Sequence, residues 1–340
     1  MKAVIWNGAY NLTLKEVPKP SPSKGEVLIR TKAVGVCGTD LDIYEGRFKQ
    51  AEPPLIIGHE GGGIVEELGA DITDITIGER VIVECMIRCG HCEYCLEGRY
   101  GLCNNGGAMG MVGTEGEYAE YFVTPRKNCH TLPEEVSWPE AAFIDTLAGP
   151  IHALKGITSL NGKSVAVFGS GPAGLFFCKL SKLKGASKVY LMGTRQNRLQ
   201  HGSSFGADLL IDVTNENAVE TILNDTDGRG VHIAIEAAGT SNALNDSIAV
   251  LRKGGMLIIY GVFGEGPVPV TIQPIQLYEL SINGSCGHDY PAAINLIKNH
   301  TIEVEALITH RFTLHELVNA FKSNLIKERR EGYIKGVILL

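Results

Sequence analysis

Hydrophobic and polar positions follow different patterns in the two halves of this chain. In the first half, short apolar runs bounded by Gly, Pro and Asp predict strands at 27–34, 64–68, 80–84 and 118–123. Helical periodicity is weak in this half. We therefore predict a β-rich, antiparallel domain over residues 1–150.

The pattern changes near residue 150, where fully apolar strands begin to alternate with helices. The strand at 164–168 leads directly into a predicted helix at 173–184. Continuous apolar strands separated by helices are typical of a parallel sheet that is covered on both faces. The sequence therefore predicts an α/β domain with a doubly wound parallel sheet over residues 151–285. Its further strands are predicted at 188–192, 207–212, 231–236 and 256–260.

The last part of the chain contains two helical segments and one strand. The helices are predicted at 290–299 and 314–325, and the strand at 334–339. We predict that this final strand returns to the first sheet. Residues 286–340 then complete the first domain.

The composition is that of an ordinary globular protein and argues against some function classes. The chain has 340 residues, of which 44% are hydrophobic and 20% charged, and its net charge is -7. An acidic chain argues against a nucleic-acid surface, because phosphate contacts need clustered Lys and Arg. The basic stretch at 327–330 is mixed with acid and is interpreted as a solvated helix end. We find no secretory leader or membrane-spanning apolar run, and expect a cytoplasmic protein.

Four cysteines close together carry the strongest chemical signal. Cys89, Cys92, Cys95 and Cys103 follow the spacing C-x2-C-x2-C-x7-C. Thiolates this close on a tight loop can converge on one tetrahedral ion, and Zn2+ held by four Cys is a structural site. An iron–sulfur cluster is the main alternative, but its usual run ends in C-x3-C-P, and here Asn104 follows a longer gap. A redox pair or disulfides are the third possibility.

A glycine-rich turn follows the apolar strand at 164–168. The motif G-x-G-x-x-G, directly after a strand and at the start of a helix, is the dinucleotide-binding fingerprint. Its first Gly makes the turn, its second lets the backbone approach a pyrophosphate, and its third packs helix against strand. An ordinary glycine-rich turn is the alternative. The predicted cofactor-binding residues of this turn are Gly169, Gly171, Pro172, Ala173 and Gly174.

The end of the next strand bears on which dinucleotide binds. An NAD site has an acidic residue there for the ribose 2′-hydroxyl, whereas this chain has Gly193, Thr194 and Arg195, with Arg198 close by. Arg can hold a 2′-phosphate by paired charge-assisted hydrogen bonds. We therefore predict NADP in preference to NAD. The alternative is that both arginines lie on a solvated helix start.

The four-cysteine segment upstream of a Gly-rich turn resembles the zinc-dependent medium-chain dehydrogenase/reductase family, which includes alcohol, sorbitol, threonine and glucose dehydrogenases. The resemblance covers nearly the whole chain. It implies a GroES-like catalytic domain over 1–150 and 286–340, and a Rossmann cofactor domain over 151–285. It also implies a homodimer or homotetramer that acts on a small alcohol, polyol or sugar.

Three motifs occur in the order that this family has. Residues 35–40 look like its first catalytic-metal motif, and residues 58–60 look like its second. Residues 143–147 fall where the third ligand of the family lies. A Cys, a His and a carboxylate form a sensible open zinc site. The residues that the resemblance assigns to a catalytic zinc are Cys37, His59 and Asp145.

The resemblance also implies a reaction and roles for neighbouring residues. The ion lowers the pKa of a substrate hydroxyl, and hydride passes to C4 of the nicotinamide. Thr39 matches the hydroxyl that begins the family's proton relay, and Asp42 stands where many relatives carry a His. Turn capping is the alternative role for both. Glu60 is implied as a neighbour of the ion or an occasional ligand.

The acidic third ligand favours the polyol and sugar branch of the family. Tyr44 stands where sorbitol dehydrogenase-like members have a Tyr that faces substrate, with core packing as the alternative. Threonine dehydrogenases carry a His where this chain has Met86. A threonine-like amino alcohol therefore ranks second and a simple secondary alcohol third. His288 falls near the substrate in relatives, but we interpret it as a surface-loop residue.

Two hypotheses from other classes remain at this point. Zinc-free relatives reduce quinones or enones, and a zinc-holding interaction module would turn over no nicotinamide. The presence of Cys37, His59 and Asp145 together argues against both. The zinc content distinguishes these hypotheses from a zinc-dependent enzyme, because the enzyme needs a catalytic ion in addition to the structural one.

Overall fold

The computed structural model describes residues 1–264, 266–328 and 332–340. Arg329 and Arg330, which belong to the basic stretch at 327–330, lie outside this part. Contacts divide the chain into two compact units, one of Met1–Ala148 with Gly287–Leu340 and the other of Gly149–Cys286. Among the described residues, every helix is too short or too polar to cross a membrane.

The segment before residue 154 is built mainly of strands. Its helices are short, and α1 follows the long strand β3 almost directly. The strands are β1 Lys2–Trp6, β2 Leu12–Glu16, β3 Glu26–Gly35, β4 Leu55–Ile56, β5 Glu60–Leu68, β6 Arg80–Val83, β7 Met86–Ile87, β8 Gly107–Met109, β9 Gly113–Thr114, β10 Tyr121–Pro125 and β11 Cys129–Thr131. The helices are α1 Gly38–Tyr44, α2 Glu93–Leu96, α3 Trp138–Ala141 and α4 Ile144–Ala153.

The middle segment alternates strands and helices, as the apolar pattern predicts. The strands are β12 Ser164–Phe168, β13 Lys188–Gly193, β14 Leu209–Asp212, β15 Val231–Glu236, β16 Leu251–Ile259 and β17 Ser281–Gly284. The helices are α5 Pro172–Leu183, α6 Gln196–Leu199, α7 Ala218–Asp225, α8 Ser241–Ala249 and α9 Gln273–Leu277. The last segment contributes β18 Ile308–Phe312 and β19 Lys335–Leu339, with α10 Tyr290–Lys298, α11 Leu314–Lys322 and α12 Leu325–Glu328.

The sheet of the second unit is parallel throughout and has the order β14-β13-β12-β15-β16-β17. This order is that of a doubly wound dinucleotide-binding sheet, so the predicted α/β fold is confirmed. Side chains of the central strands, such as Ala166, Tyr190 and Leu257, are buried in one apolar cluster. A strand buried on both faces needs apolar residues at every position, which explains the continuous runs in the sequence.

The main sheet of the first unit follows the path β11-β6-β5-β3-β19-β18, with β10 also paired to β3. The final strand β19 lies antiparallel to β3, which confirms its predicted return to the first domain. Most pairs are antiparallel as predicted, but β18–β19 and β8–β9 are parallel. The register of the sheet places Gly35 opposite both Glu60 and Val337.

Candidate active site and metal centres

The four spaced cysteines converge in one lobe of the first unit. Sγ atoms of Cys89, Cys92, Cys95 and Cys103 all lie within 4.8 Å of one another. The lobe is held by the backbone itself, because the amide of Cys89 donates to Sγ of Cys103 at 3.3 Å and that of Cys92 to Sγ of Cys89 at 3.4 Å. Cys92 also caps the short helix α2. The spacing therefore brings four soft ligands to one point.

The chemistry of these thiols fits a structural zinc ion. Hydrogen bonds from the backbone amides of His91 and Cys92 lower the pKa of Cys89 to about 6, although burial opposes them. Backbone hydrogen bonds also lower the pKa of Cys92. Because thiolate is the form that binds metal, the backbone prepares this loop for a cation. All four cysteines are free of disulfides.

A second group of ligand atoms comes from the ends of two paired strands. Cys37 lies just after β3 and caps α1, and His59 immediately precedes β5. Gly35 of β3 lies opposite Glu60 of β5, so the sheet register brings the two motifs together. Ligand atoms of Cys37, His59 and Glu60 lie within 4.8 Å of one another.

His59 is oriented by Asp40, a buried acid on α1. Nδ1 of His59 lies 3.3 Å from Oδ1 of Asp40. The other oxygen of Asp40 accepts from Tyr118 Oη at 2.6 Å and from the Cys37 amide at 2.9 Å. Burial acts to lower the pKa of His59, but the charges of Asp40 and Cys37 raise it well above its usual range. A carboxylate behind one ring nitrogen leaves the other as a metal ligand.

Glu60 is engaged by two partners that the sequence analysis did not identify. Oε2 accepts from Nζ of the buried Lys335, and Oε1 accepts from Oγ1 of Thr146 at 2.9 Å. Nζ of Lys335 also donates to Thr146 at 3.1 Å. Burial lowers the pKa of Lys335, yet Glu60 and neighbouring anions raise it overall, so its ammonium stays charged. The negative charge of Glu60 is thereby offset within the protein.

Asp145 lies beside a different set of side chains from those predicted. Its ligand oxygen groups with Sγ of Cys85 and a ring nitrogen of His288, all within 4.8 Å. Oδ1 also accepts from Tyr290 Oη. Burial raises the pKa of Asp145, but the charges of His288 and His59 lower it overall. Asp145 therefore interacts electrostatically with the imidazoles of both His288 and His59. It does not belong to the compact group of Cys37, His59 and Glu60.

Three further predicted site residues lie on α1, and their surroundings differ. Oγ1 of Thr39 lies 3.6 Å from Sγ of Cys37, next to the metal-type cluster. The carboxylate of Asp42 instead pairs with the exposed Arg47. Tyr44 is buried, and its ring packs 5.1 Å from that of Phe321. A substrate contact by Tyr44 stays a prediction.

The predicted cofactor turn has the shape that its glycines imply. Gly169 adopts φ +123°, a conformation that L side chains rarely adopt. A Cβ at Gly174 would collide with the carbonyl of Gly169, so helix α5 could not approach the strand with a larger residue. Gly171 caps α5, and Pro172 and Ala173 form its first turn. This geometry fits a pyrophosphate at the helix N-terminus.

The residues after β13 form a basic corner of the second unit. Arg198 is buried and its guanidinium lies 3.7 Å from where a Cβ on Gly171 would stand. Arg195 caps α6 and is half-buried, while Thr194 is exposed. A Cβ on Gly193 would collide with Ser170. Arg198 thus lies beside the cofactor turn rather than on a solvated helix start.

Comparisons with known proteins agree with this organisation. Residues 23–134 match the model of the alcohol dehydrogenase GroES-like domain, and residues 172–299 match that of the zinc-binding dehydrogenase. The first match confirms the predicted GroES-like domain.

Individual relatives match along nearly the whole chain. Sorbitol dehydrogenase of Bacillus subtilis (strain 168) is 31% identical over 330 residues, which cover 96% of this chain and 94% of that protein. A zinc-binding dehydrogenase of Sinorhizobium meliloti 1021, solved with NADP, is 30% identical with a TM-score of 0.92, covering 100% and 99% of the chains. A short chain alcohol dehydrogenase of E. coli CFT073, solved with NADH, has 28% identity and a TM-score of 0.92 over the same shares.

Proposed function

Because the chain belongs to the zinc-dependent medium-chain dehydrogenase/reductase family, we propose that it transfers a hydride between a secondary hydroxyl of a polyol or sugar and NADP(H) or NAD(H). One observation carries the proposal: Cys37 and His59 form a metal-type cluster with a buried acid, Asp40, behind the imidazole. The similarity to a sorbitol dehydrogenase over 96% of the chain supports the substrate class.

We assign the catalytic zinc to Cys37, His59 and Asp145, with Glu60 beside them. Lys335 and Thr146 engage both oxygens of Glu60, which favours Asp145 as the carboxylate that joins the ion. The Cys37 thiolate and the Asp145 carboxylate together would balance the charge of Zn2+. His59 contributes a neutral nitrogen.

The protein's own groups then have defined tasks. A zinc ion at an open site of this kind lowers the pKa of a bound hydroxyl toward neutrality. Asp40 fixes the ring of His59, and Tyr118 and the Cys37 amide fix Asp40 in turn. Thr39, next to Cys37, accepts the proton that the substrate hydroxyl loses, since a hydroxyl both accepts and donates. Asp42 stays the proposed next group of the relay, with Arg47 as its partner.

We propose NADP as the preferred cofactor. Gly193 stands where an NAD site needs an acid, and Arg195 and Arg198 supply positive charge beside the Gly169–Gly174 turn. The turn itself would hold the pyrophosphate that both dinucleotides share. Relatives of the same fold are known with NADP and with NADH, so the preference depends on this basic corner.

We also propose a structural zinc at the four-cysteine lobe and a homodimer or homotetramer. Four thiolates fill a tetrahedral ion and leave no position for substrate. The edge strand β17 supports assembly, because all four of its residues are exposed and Ile282, Leu277 and Tyr278 present apolar surface there. An exposed edge strand with apolar side chains is ready to pair with another chain.

Asp145→Ala tests the catalytic assignment. We expect turnover to be lost, while NADPH binding and the fold are retained. The control is Asp227→Asn, which removes a highly exposed negative charge of the second unit. Full turnover in Asp145→Ala would show that the catalytic-metal assignment is wrong.

A substrate panel tests the substrate class. Polyols, aldoses, threonine and 2,3-butanediol are compared by kcat/KM with both cofactors. We expect a polyol or sugar with NADP to give the highest value. A threonine-type amino alcohol is the second candidate and a simple secondary alcohol the third, and a clear preference for either would replace the proposed substrate class.

A further inference from the structure

A third group of ligand-type side chains lies in the first unit, and two of its members have no role in the proposed dehydrogenase reaction. Cys85, Asp145 and His288 bring a sulfur, an oxygen and a nitrogen within 4.8 Å of one another. Cys85 lies between β6 and β7, Asp145 on α4 and His288 just before α10. Three distant parts of the chain therefore meet at this point.

The chemistry of this group is that of a zinc-class site. A thiol, a carboxylate and an imidazole are the ligands that Zn2+ and similar ions bind. Cys85 is only 2% exposed, and a thiolate there together with the carboxylate of Asp145 would balance the charge of a divalent cation.

His288 is half-buried, and its two ring nitrogens differ in their surroundings. Its Nδ1 is buried with no hydrogen-bond partner among the described residues. Its Nε2 lies 3.9 Å from Oδ1 of Asp145, which is longer than a hydrogen bond. Buried polar atoms in native proteins nearly always have a partner, so the unpaired ring nitrogen in this group is consistent with a bound ligand.

We propose that Cys85, Asp145 and His288 hold a second divalent cation of the zinc class in the first unit, in addition to the catalytic ion. Asp145 has two carboxylate oxygens and so can serve one ion with each. Pairs of metal ions about 4 Å apart are a known arrangement in enzymes. The proposal goes beyond the proposed function, which needs one ion at Cys37 and His59.

Cadmium NMR of the full-length protein tests the proposal. Metal-free protein is reloaded with isotope-enriched Cd2+, and the bound cadmium per chain is counted by elemental analysis. We expect one signal from a four-thiolate site and two signals from mixed sulfur, nitrogen and oxygen sites. Cys85→Ser and His288→Gln should each remove one mixed signal and lower the count by one ion, while Cys37→Ser removes the other mixed signal.

Matched controls keep the result interpretable. Cys129→Ser removes a buried thiol of the same unit that joins no ligand group within the described part of the chain, and His310→Gln removes a histidine elsewhere in that unit. Both should leave the spectrum unchanged. A single mixed signal in the wild type overturns the proposal even if the variants fail to fold, as does a spectrum that neither Cys85→Ser nor His288→Gln alters. The catalytic assignment is tested separately by the turnover of Cys37→Ser, because Cys37 belongs to the group with His59 and not to that with Cys85 and His288.

Discussion

The four-cysteine lobe and the cluster at Cys37 and His59 are both metal-type sites, but they are built in opposite ways. The lobe takes all its ligands from Cys89–Cys103 and fixes them with local amide bonds. The other cluster takes its residues from strands that are distant along the chain and adjacent in the sheet. A local loop can be complete without the rest of the fold, whereas a sheet-assembled site depends on register.

The surroundings of the two sites differ as well. Around the lobe, backbone amides are the main partners of the thiols. Around Cys37 and His59 lie buried charged groups, with Asp40 on the imidazole and Lys335 on Glu60. Burying charge is costly and is retained at sites that use it. From this difference we expect the lobe to stabilise the fold and the sheet-assembled cluster to carry the reaction.

The largest effect on stability is expected from the lobe. Cys95→Ser removes one thiolate of four and should lower the free energy of unfolding by about 5 kcal/mol or more, because zinc binding is coupled to folding. The melting temperature measures the loss of stability, and the zinc content measures the loss of the ion. Cys286→Ser, which removes an exposed thiol, is the control. If Cys95→Ser keeps the wild-type melting temperature, the lobe has no structural role.

A smaller loss is expected from the ion pair behind the reactive cluster. Lys335→Met leaves the buried Glu60 without its cation. It should lower the free energy of unfolding by about 3–5 kcal/mol, because the remaining carboxylate is then a buried charge without a partner. Urea unfolding measures it. The matched control is Lys24→Met, because Lys24 pairs with Asp71 on the surface at 2.7 Å, where such pairs contribute about 0–1 kcal/mol. Equal losses in the two variants would contradict this account of Lys335.

The smallest effect is expected at the cofactor corner. Arg195→Ala should weaken NADP binding by about 10–100-fold and leave NAD binding unchanged, because a charge-assisted bond contributes about 1.5–3 kcal/mol. Dissociation constants for both dinucleotides measure it. Arg229→Ala, an exposed arginine of the same unit, is the control. A parallel loss for NAD and NADP would place Arg195 away from the 2′-phosphate.

Much of the fold could be predicted because buried positions are apolar, so burial is visible as a pattern of apolar residues in the sequence. Strands β12 and β15 were predicted at their observed bounds, since strands buried on both faces are continuously apolar. Helix α1 was missed because its seven residues are too few to show a clear helical periodicity. Strand β17 was missed because all four of its residues are exposed.

The two candidate metal sites also differ in how far the sequence predicts them. The lobe could be found from the spacing of four cysteines that lie close together in the sequence. Lys335 and Thr146 could not be found, because only the pairing of β19 with β3 and the position of α4 bring them to Glu60. Nor could the sequence show that Asp145 lies with Cys85 and His288, which is a matter of packing between loops and helices.

The most direct test of the contrast is the Cys37→Ser variant, analysed for zinc content, turnover and melting temperature together. We predict one zinc fewer per chain than the wild type, loss of turnover by about 1,000-fold or more because an ion contributes several kcal/mol to the reaction, and a nearly unchanged melting temperature. Wild-type turnover after loss of that zinc, or a collapse in stability like that expected for Cys95→Ser, would contradict the account.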